Sequence, residues 1–189
     1  QASSEIENIV TTNDELFKAA NGALPDVTPQ VKEALRYREA LRAGHESLAT
    51  RPITTKTAIE VCSHIHAQTA IIRDQPGTYI GNPTTGNRMY TPPEGRDVIL
   101  DHLSAWERFL HSNHGLDPLV VMALSHYQFE AIHPFFDGNG RTGRVLNLLI
   151  LIETGLLQLP ILYLSGHVMR HKDTYYERLD AVTREDAWE

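Results

Sequence analysis

Residues 133–144 read His-Pro-Phe-Phe-Asp-Gly-Asn-Gly-Arg-Thr-Gly-Arg. Pro134 disfavours the helical conformation in the residue before it, so we expect the preceding helix to end near Ile132. Gly138 and Gly140 permit positive φ and carry no side chain, so the next helix is expected to start at this turn. The stretch therefore predicts two helices joined by a tight loop that leads into the N-terminus of the second helix.

The apolar residues on both sides of this loop recur mostly at helical spacing. Thr28 before Pro29 is typical of a helix N-cap followed by proline in the first turn, and Asp117 before Pro118 gives the same signal. The predicted helices cover residues 28–44, 55–68, 95–112, 117–131, 139–156 and 165–184. The chain is therefore predicted to be a helical bundle of the all-α class.

Residues 76–96 interrupt the helical pattern. They contain eight prolines and glycines, which makes a helix there improbable. Between these breakers, residues 78–80 and 88–90 are short β-prone segments separated by a polar turn. We therefore predict one small β-hairpin that projects from the helical bundle as a flap.

The composition is that of a folded globular domain. Of 189 residues, 41% are hydrophobic, which argues against a disordered chain. The net charge of −7 disfavours nucleic acid as the main partner.

Cys62 is the single cysteine, so the chain is expected to occupy a reducing compartment, the cytoplasm. No apolar run approaches the roughly 18–20 residues that cross a bilayer, so no membrane partner is predicted. No secretory leader follows Gln1, and the missing initiator Met indicates processing or trimming.

The loop at 133–144 also concentrates residues suited to phosphate chemistry. His133 has an ordinary pKa near ~6.5 and can take a proton from a hydroxyl. Asp137 offers a hard carboxylate oxygen of the kind that Mg²⁺ prefers. Arg141 and Arg144 can grip phosphate oxygens, and amides at the start of a helix bind anions. Each residue alone is more often a turn, cap or structural residue, but their combination favours a phosphate-binding catalytic site.

The same stretch resembles the signature of the Fic family, His-x-Phe-x-Asp/Glu-Gly-Asn-Gly-Arg-x-x-Arg. The residues that meet this signature are His133, Phe135, Asp137, Gly138, Asn139, Gly140, Arg141 and Arg144. The resemblance implies a Fic-type helical bundle with a small β-hairpin flap. It also implies a catalytic core over residues 21–189 that follows an inhibitory helix segment over residues 1–20.

What the resemblance implies is an enzyme, a nucleotidyltransferase that moves AMP from ATP to a Ser, Thr or Tyr hydroxyl of a target protein. In this role His133 would deprotonate the target hydroxyl, and Asp137 would hold Mg²⁺ on the α- and β-phosphates. The remaining phosphate contacts would come from Gly138, Asn139, Gly140 and Arg141, with Arg144 on the γ-phosphate. Phe135 would point into the core and anchor the loop.

The start of the chain resembles the inhibitory motif of part of this family, Ser/Thr-x-x-x-Glu-Gly/Asn. Ser3, Glu7 and Asn8 occupy the matching positions. The resemblance implies that Glu7 would pair with Arg144 where the γ-phosphate must bind, so that ATP is held in a pose unfit for transfer. The alternative is an exposed acidic helix face that Ser3 caps.

Three further groups are predicted to contact substrates. The family flap aligns the target by main-chain pairing, which would place Met89, Tyr90 and Thr91 at the target segment, although a plain surface hairpin is the alternative. The resemblance also implies that Tyr175 and Tyr176 line the adenine side, and both could equally be core aromatics. Asn147 lies one turn beyond Arg144 and could approach the nucleotide.

Other functions remain open at this level. Some Fic-like proteins transfer phosphocholine or a simple phosphate, or remove AMP from a modified target, and Glu7 could position the water for removal. A different class is a non-enzymatic regulator that senses ATP, against which His133 argues. The target protein is not readable from the sequence. Self-modification and a homo-oligomer are both compatible with it.

Overall fold

The computed structural model of the chain describes residues 2–6, 11–23, 26–81 and 88–188. Within them the elements are α1 (Ala2–Ile6), α2 (Asn13–Ala20), α3 (Pro29–Ser47), α4 (Thr55–His66), β1 (Ile80–Gly81), β2 (Arg88–Tyr90), α5 (Arg96–His111), α6 (Pro118–Ile132), α7 (Asn139–Glu153), α8 (Leu164–Arg170) and α9 (Lys172–Glu185). The prediction of a helical bundle with one small hairpin is confirmed. No helix of the described ranges combines the length and apolar character that crossing a membrane requires.

The chain divides into two compact units. One consists of Gln1–Ala34 together with Leu162–Glu189, and the other is the continuous stretch Leu35–Ile161. The hairpin, α4, α5, α6 and α7 all belong to the second unit, and α3 begins in the first unit and ends in the second.

Helix α7 is the centre of the larger unit, since every residue from 141 to 151 is buried. It packs against α6 and α4, and α5 packs against α6 and, less extensively, against α4. Trp106 of α5 lies with its ring 5.6 Å from that of Phe129 of α6, and its indole Nε1 donates to Ser125 Oγ at 2.7 Å. The buried indole N–H is thus satisfied while the two rings pack together.

The helix boundaries around the glycine-rich loop follow local sequence signals. α6 starts as predicted, with Pro118 at its first position and the Asp117 carboxylate accepting from the Leu119 amide at 2.8 Å. It ends at Ile132, also as predicted. α7 starts at Asn139 but ends at Glu153, three residues before the predicted end. Gly155 follows with φ 77, a conformation that closes helices.

The hairpin is an antiparallel pair. Ile80 lies opposite Tyr90 and Gly81 opposite Arg88, with an irregularity in the register between these pairs. The Arg88 guanidinium sits 4.9 Å from the centre of the Tyr79 ring, within the range of a cation–π contact. Residues 82–87, which join the strands, lie outside the described part of the chain.

The smaller unit contains α1, α2, α8 and α9. α1 packs against α8, and Lys172 Nζ donates to the Ile6 carbonyl at 2.7 Å. The predicted single helix over 165–184 is wrong, because His171 (φ −125, ψ 37) separates α8 from α9. The amide of His171 donates to the carbonyls of His167 and Val168, which closes α8 before α9 begins.

Helix α2 lies within the helix segment predicted over residues 1–20, but its start at Asn13 was not predicted. It begins with a capping box in which the Thr12 side chain accepts from the Glu15 amide and the Glu15 carboxylate accepts from the Thr12 amide at 2.9 Å. The spacing of Thr12 and Glu15 is the sequence signal that identifies such a start.

Candidate active site

The predicted base lies directly beyond the end of α6. His133 adopts the left-handed conformation with φ 48 and ψ 59, and its amide donates to the Phe129 carbonyl at 3.0 Å. The imidazole is half-buried, and its Nδ1 lies 3.3 Å from the Glu130 carbonyl oxygen. When Nδ1 carries the proton and donates to that carbonyl, Nε2 holds the lone pair that a general base requires.

The loop that follows is closed by an asparagine. The Phe135 amide donates to Asn139 Oδ1 at 2.9 Å, and Asn139 Nδ2 donates to the Phe135 carbonyl at 2.8 Å. Both side chains are buried, and Phe135 points into the core as expected. The Asn139 side chain thus shapes the loop from within, a role that the interpretation as a phosphate ligand did not include.

Gly138 occupies a position that excludes other residues. Its φ of 83 is left-handed, and a Cβ at this position would lie 2.5 Å from His66 Nε2 and 3.4 Å from Cys62 Sγ. Gly140 instead lies in the first turn of α7, so the conformational freedom expected of both glycines is used at Gly138. The close approach lets the loop pass over α4 without a side chain between them.

The start of α7 presents an anion-binding geometry. Its first residue is Asn139, and the first amides of any helix have no acceptor within that helix. The helix dipole adds positive potential at the same end. A phosphate group is the natural ligand for such a helix start when it lies beside a glycine turn.

The two arginines of the signature lie in the first turns of α7 and are buried. Arg141 is 5% exposed, and its Nη2 lies 3.2 Å from Asp137 Oδ1. Arg144 is 3% exposed, and its charge contributes to lowering the pKa of His126 on α6. Buried guanidinium groups have lost their hydration, so they bind an anion more strongly than exposed ones would.

Asp137 is the exposed carboxylate of the loop, with 74% of its side chain accessible. Its Oδ1 accepts from the Gly138 amide at 2.6 Å, and its Oδ2 lies 3.9 Å from His66 Nε2. In the described ranges no three His, Cys, Asp or Glu side chains group together as a metal site would need. One accessible carboxylate fits Mg²⁺, because this ion is commonly held by one or two carboxylates together with substrate phosphates.

Two other reactive side chains near the loop are held in their neutral forms. Burial, reinforced by the charge of Arg144, lowers the pKa of His126 to about 4. Burial raises the pKa of the Cys62 thiol to about 11. At neutral pH His126 is therefore an uncharged imidazole of low basicity, and Cys62 is a thiol rather than the nucleophilic thiolate.

Four further residues predicted to contact substrates lie in the larger unit. Asn147 is buried in α7, and its Oδ1 has no hydrogen-bond partner among the described residues. Met89 and Tyr90 are half-buried on β2, and Thr91 just beyond it is exposed. Burial raises the pKa of Tyr90, which keeps its hydroxyl protonated.

The remaining predicted residues belong to the smaller unit. Tyr175 and Tyr176 lie on α9 with their rings edge to face at 5.1 Å. Ser3 is buried on α1, whereas Glu7 and Asn8 lie outside the described residues. The adenine-lining and inhibitory roles of these five residues stay predictions.

One residue of the site was missed by the sequence interpretation. Arg73 is fully buried, and its guanidinium donates to the carbonyls of His133 at 2.7 Å, Ile132 at 3.2 Å and Pro93 at 2.6 Å. Its own amide donates to the Pro134 carbonyl at 3.0 Å. The signal that marks it in the sequence is an arginine directly after the apolar run at residues 70–72.

The chain is similar to known proteins both in sequence and in fold. Among curated relatives, the "Protein adenylyltransferase Fic" of Drosophila yakuba is 43% identical over 68 residues, which are 35% of this chain and 14% of that protein. The protein of the same name from Aedes aegypti is 34% identical over 103 residues, which are 53% of this chain and 19% of that protein. The chain thus spans less than a fifth of the length of these relatives.

Solved structures share the fold at low identity. A Fic family protein from Desulfovibrio desulfuricans G20 matches with a TM-score of 0.74 and 24% identity, over 98% of this chain and 56% of that one. Fic-1 from C. elegans (aa134–508) matches with a TM-score of 0.71 and 20% identity, over 94% of this chain and 53% of that one.

Family models cover both parts of the chain. The model of the Fic/DOC family N-terminal region matches residues 1–46. The model of the Fic/DOC family itself matches residues 54–151, just over half of the chain, and includes the complete signature at 133–144. The chain therefore belongs to the Fic/DOC family.

Proposed function

We propose that the protein is an adenylyltransferase that transfers AMP from ATP to a hydroxyl side chain of a target protein. The observation that carries this proposal is the loop at 133–144, which joins an imidazole to a helix N-terminus with two buried arginines. The names of the relatives from Drosophila yakuba and Aedes aegypti support the same reaction.

In the proposed reaction, His133 accepts the proton of the target hydroxyl at Nε2. The hydroxyl oxygen then forms a bond to the α-phosphorus of ATP, and the bond between this phosphorus and the bridging oxygen of pyrophosphate breaks. The products are the AMP ester of the target and pyrophosphate. The protein mainly positions groups and stabilises charge, which is the usual division of labour in phosphoryl-type transfer.

The start of α7 would hold the triphosphate. The amides at Gly138 to Gly140 would receive phosphate oxygens, and Arg141 and Arg144 would balance the charge that shifts to the leaving pyrophosphate. Because these donors are fixed before ATP binds, they need little reorganisation during the reaction. Asn147, buried farther along α7 with an Oδ1 that has no hydrogen-bond partner in the described ranges, is proposed to approach the nucleotide.

Mg²⁺ is proposed as the metal that accompanies ATP, held by Asp137. Bound there, it would neutralise phosphate charge and orient the phosphate oxygens. Asp137 is suited to this because its carboxylate is exposed and is oriented by the Gly138 amide and the Arg141 guanidinium.

The hairpin is proposed to align the target segment. An extended segment that pairs with the backbone at Met89, Tyr90 or Thr91 would be fixed in register without a required sequence. Residues of this chain itself would be modified when they enter the same position.

We further propose that Glu7 restrains the reaction. The support is the Ser3, Glu7 and Asn8 pattern together with the match of residues 1–46 to the Fic/DOC N-terminal model. The position of the motif before the catalytic signature is the order found in the family class with an N-terminal inhibitory helix.

The decisive experiment replaces the base. His133→Ala is expected to abolish transfer from Mg-ATP while ATP binding, followed by calorimetry, stays within about threefold of the unsubstituted protein, because His133 acts on the acceptor hydroxyl. Products are identified by the mass added to the target or to the chain. A His133→Ala variant that transfers AMP at the original rate contradicts the proposal, and a phosphate adduct in place of an AMP adduct would show that a different group of ATP is transferred.

A further inference from the structure

Arg73 connects its own segment of the larger unit to the end of α6 and to the segment after β2, which are far apart in sequence. Its Nε donates to the His133 carbonyl, its Nη2 to those of Ile132 and Pro93, and its amide to that of Pro134. Three consecutive carbonyls at the exit of α6 are therefore bonded to one residue, which lies 60 positions before His133.

These contacts fall on a strained part of the backbone. His133 is left-handed with φ 48, a conformation that ordinary residues rarely adopt because the Cβ crowds the following carbonyl. Carbonyls at the end of a helix also lack intrahelical donors, and a cation is favoured there by the helix dipole. Arg73 supplies both the donors and the positive charge at the residue where the strain is stored.

The contact with Pro93 links Arg73 to the hairpin flap. Pro93 lies three residues beyond β2, and its carbonyl accepts from the same Nη2 that bonds the end of α6. The side chain of Arg73 is fully buried, so these bonds are protected from competing water. The backbone that carries the base and the backbone that leads out of the flap are therefore fixed to a common guanidinium.

From this geometry we infer that Arg73 is a positioning residue for the transfer reaction. It holds the His133 backbone in its left-handed conformation and sets the flap exit at a fixed distance from the imidazole. Arg73 itself is not assigned to substrate or to the reacting atoms. The kinetic part of this inference rests on the proposed adenylyltransferase function, whereas the backbone-anchoring part does not.

The kinetic test uses graded substitutions. Arg73→Lys keeps the positive charge but cannot reach all the carbonyls. Arg73→Met removes both the charge and the side-chain hydrogen-bond donors. We expect kcat to fall about 10- to 100-fold in Arg73→Lys and further in Arg73→Met, with the KM for ATP within about twofold, because a misplaced base slows chemistry more than nucleotide binding. If Arg73→Met does not fold, Arg73→Lys alone carries the comparison.

Two controls separate positioning from general loss of stability. Arg96→Met removes an exposed arginine at the start of α5, whose Nη1 lies 3.4 Å from the carbonyl of Ile72, the neighbour of Arg73. It should leave kcat within twofold. Ile53→Ala weakens the core beside Glu153, at the opposite end of α7 from the loop. It should lower the unfolding midpoint as much as Arg73→Lys while keeping kcat within about threefold.

A second readout is independent of transfer. Amide hydrogen exchange in Arg73→Lys is expected to speed up at least tenfold across residues 129–136 and to stay unchanged in the second half of α7. Unchanged exchange at 129–136 would overturn the inference, as would an Arg73→Lys kcat equal to that of the unsubstituted protein or an equal kcat loss in Ile53→Ala. A protein without any transfer activity would refute the proposed function while the exchange result still decides the anchoring role.

Discussion

The loop at 133–138 joins two helix ends whose charges are arranged in opposite ways. At the end of α6, Arg73 places a buried cation against the last carbonyls, which is the arrangement that the negative end of a helix dipole favours. At the start of α7, Arg141 and Arg144 bring buried cations to the positive end, where the dipole disfavours them. The exposed carboxylate of Asp137 is a counter-charge there.

The difference distinguishes an end that a residue of the fold closes from an end that we propose binds a ligand. At the α6 end the fold itself supplies the donors, because Nε and Nη2 of Arg73 bind the carbonyls of His133 and Ile132. The buried Nη1 of Arg73 has no hydrogen-bond partner among the described residues. At the α7 end, two arginines and the helix dipole place positive potential beside the exposed side chain of Asp137. A bound phosphate group would stabilise this arrangement. The same six-residue loop therefore has one boundary that a buried arginine holds and one boundary that we propose binds an anion.

Replacing Arg144 tests the ligand-binding end. Arg144→Met is expected to lower kcat/KM for transfer about 100- to 1,000-fold, the usual cost of losing one preorganised charge-stabilising group. Mg-ATP should raise the unfolding temperature of the unsubstituted protein but not that of Arg144→Met, because a weaker ligand stabilises less. Thermal unfolding and steady-state kinetics measure the two effects.

The matched control for this prediction is Arg38→Met on α3, where the arginine side chain is 61% exposed. It should change neither quantity by more than twofold. An Arg144→Met protein that keeps both its activity and its response to Mg-ATP would show that the α7 end does not bind the triphosphate through this residue.

The buried imidazole beside Arg144 provides a pH test of the same end. His126 has a pKa of about 4 in the folded protein against about 6.5 in an unfolded chain, so only the unfolded state takes up its proton between these values. The free energy of unfolding should therefore be unaffected above pH 6.5 and should fall by about 3 kcal/mol as the pH is lowered to 4.

Denaturant unfolding at several pH values isolates this contribution from the carboxylates that titrate in the same range. The curve of His126→Gln should lose that part of the pH dependence, whereas His64→Gln, which removes an exposed histidine, should keep it. Parallel curves for the original protein and His126→Gln would mean that burial beside Arg144 does not hold His126 neutral.

Removing the proposed inhibitory carboxylate addresses how the α7 end is controlled. Glu7→Gly is expected to raise self-modification with Mg-ATP by about 5- to 150-fold, the range of typical coupling energies between two sites. Glu5→Gly is the matched control, since it removes a neighbouring carboxylate of α1 that the inhibitory pattern does not include. Equal rates for Glu7→Gly and the unsubstituted protein, followed by mass spectrometry, would remove the inhibitory proposal.

The backbone of both helix ends could be predicted from the sequence, whereas the boundary between α8 and α9 could not. The end of α6 and the start of α7 follow from Pro134 and the glycines, because their effects on φ and ψ act within a few residues. The break at His171 was missed because no proline or glycine marks it; backbone bonds within that turn end α8 there.

The contacts that complete the site depend on tertiary structure. Asn139 was predicted as a phosphate ligand from its place in the signature, yet its amide group closes the loop onto Phe135. Arg73 lies in an unremarkable stretch 60 positions before His133, and only the packing of that stretch against the end of α6 brings them together. Local signals therefore predict the loop and suggest its chemistry, whereas the groups that hold the loop in place are determined by the three-dimensional packing of distant segments.

The smallest expected effect concerns the glycine at the boundary between the two ends. Gly138→Ala introduces a Cβ at a left-handed residue and places it 2.5 Å from His66 Nε2. Gly155→Ala introduces a Cβ at another left-handed residue, where no other atom lies within 4 Å of it. Each should lose about 1–2 kcal/mol of unfolding free energy from strain. Because the His66 ring is 21% exposed and can swing aside, we expect Gly138→Ala to cost only about 1 kcal/mol more, measured by denaturant unfolding. The extra cost should disappear in the His66→Ala background if the close approach causes it, and its persistence there would assign it to the loop backbone instead.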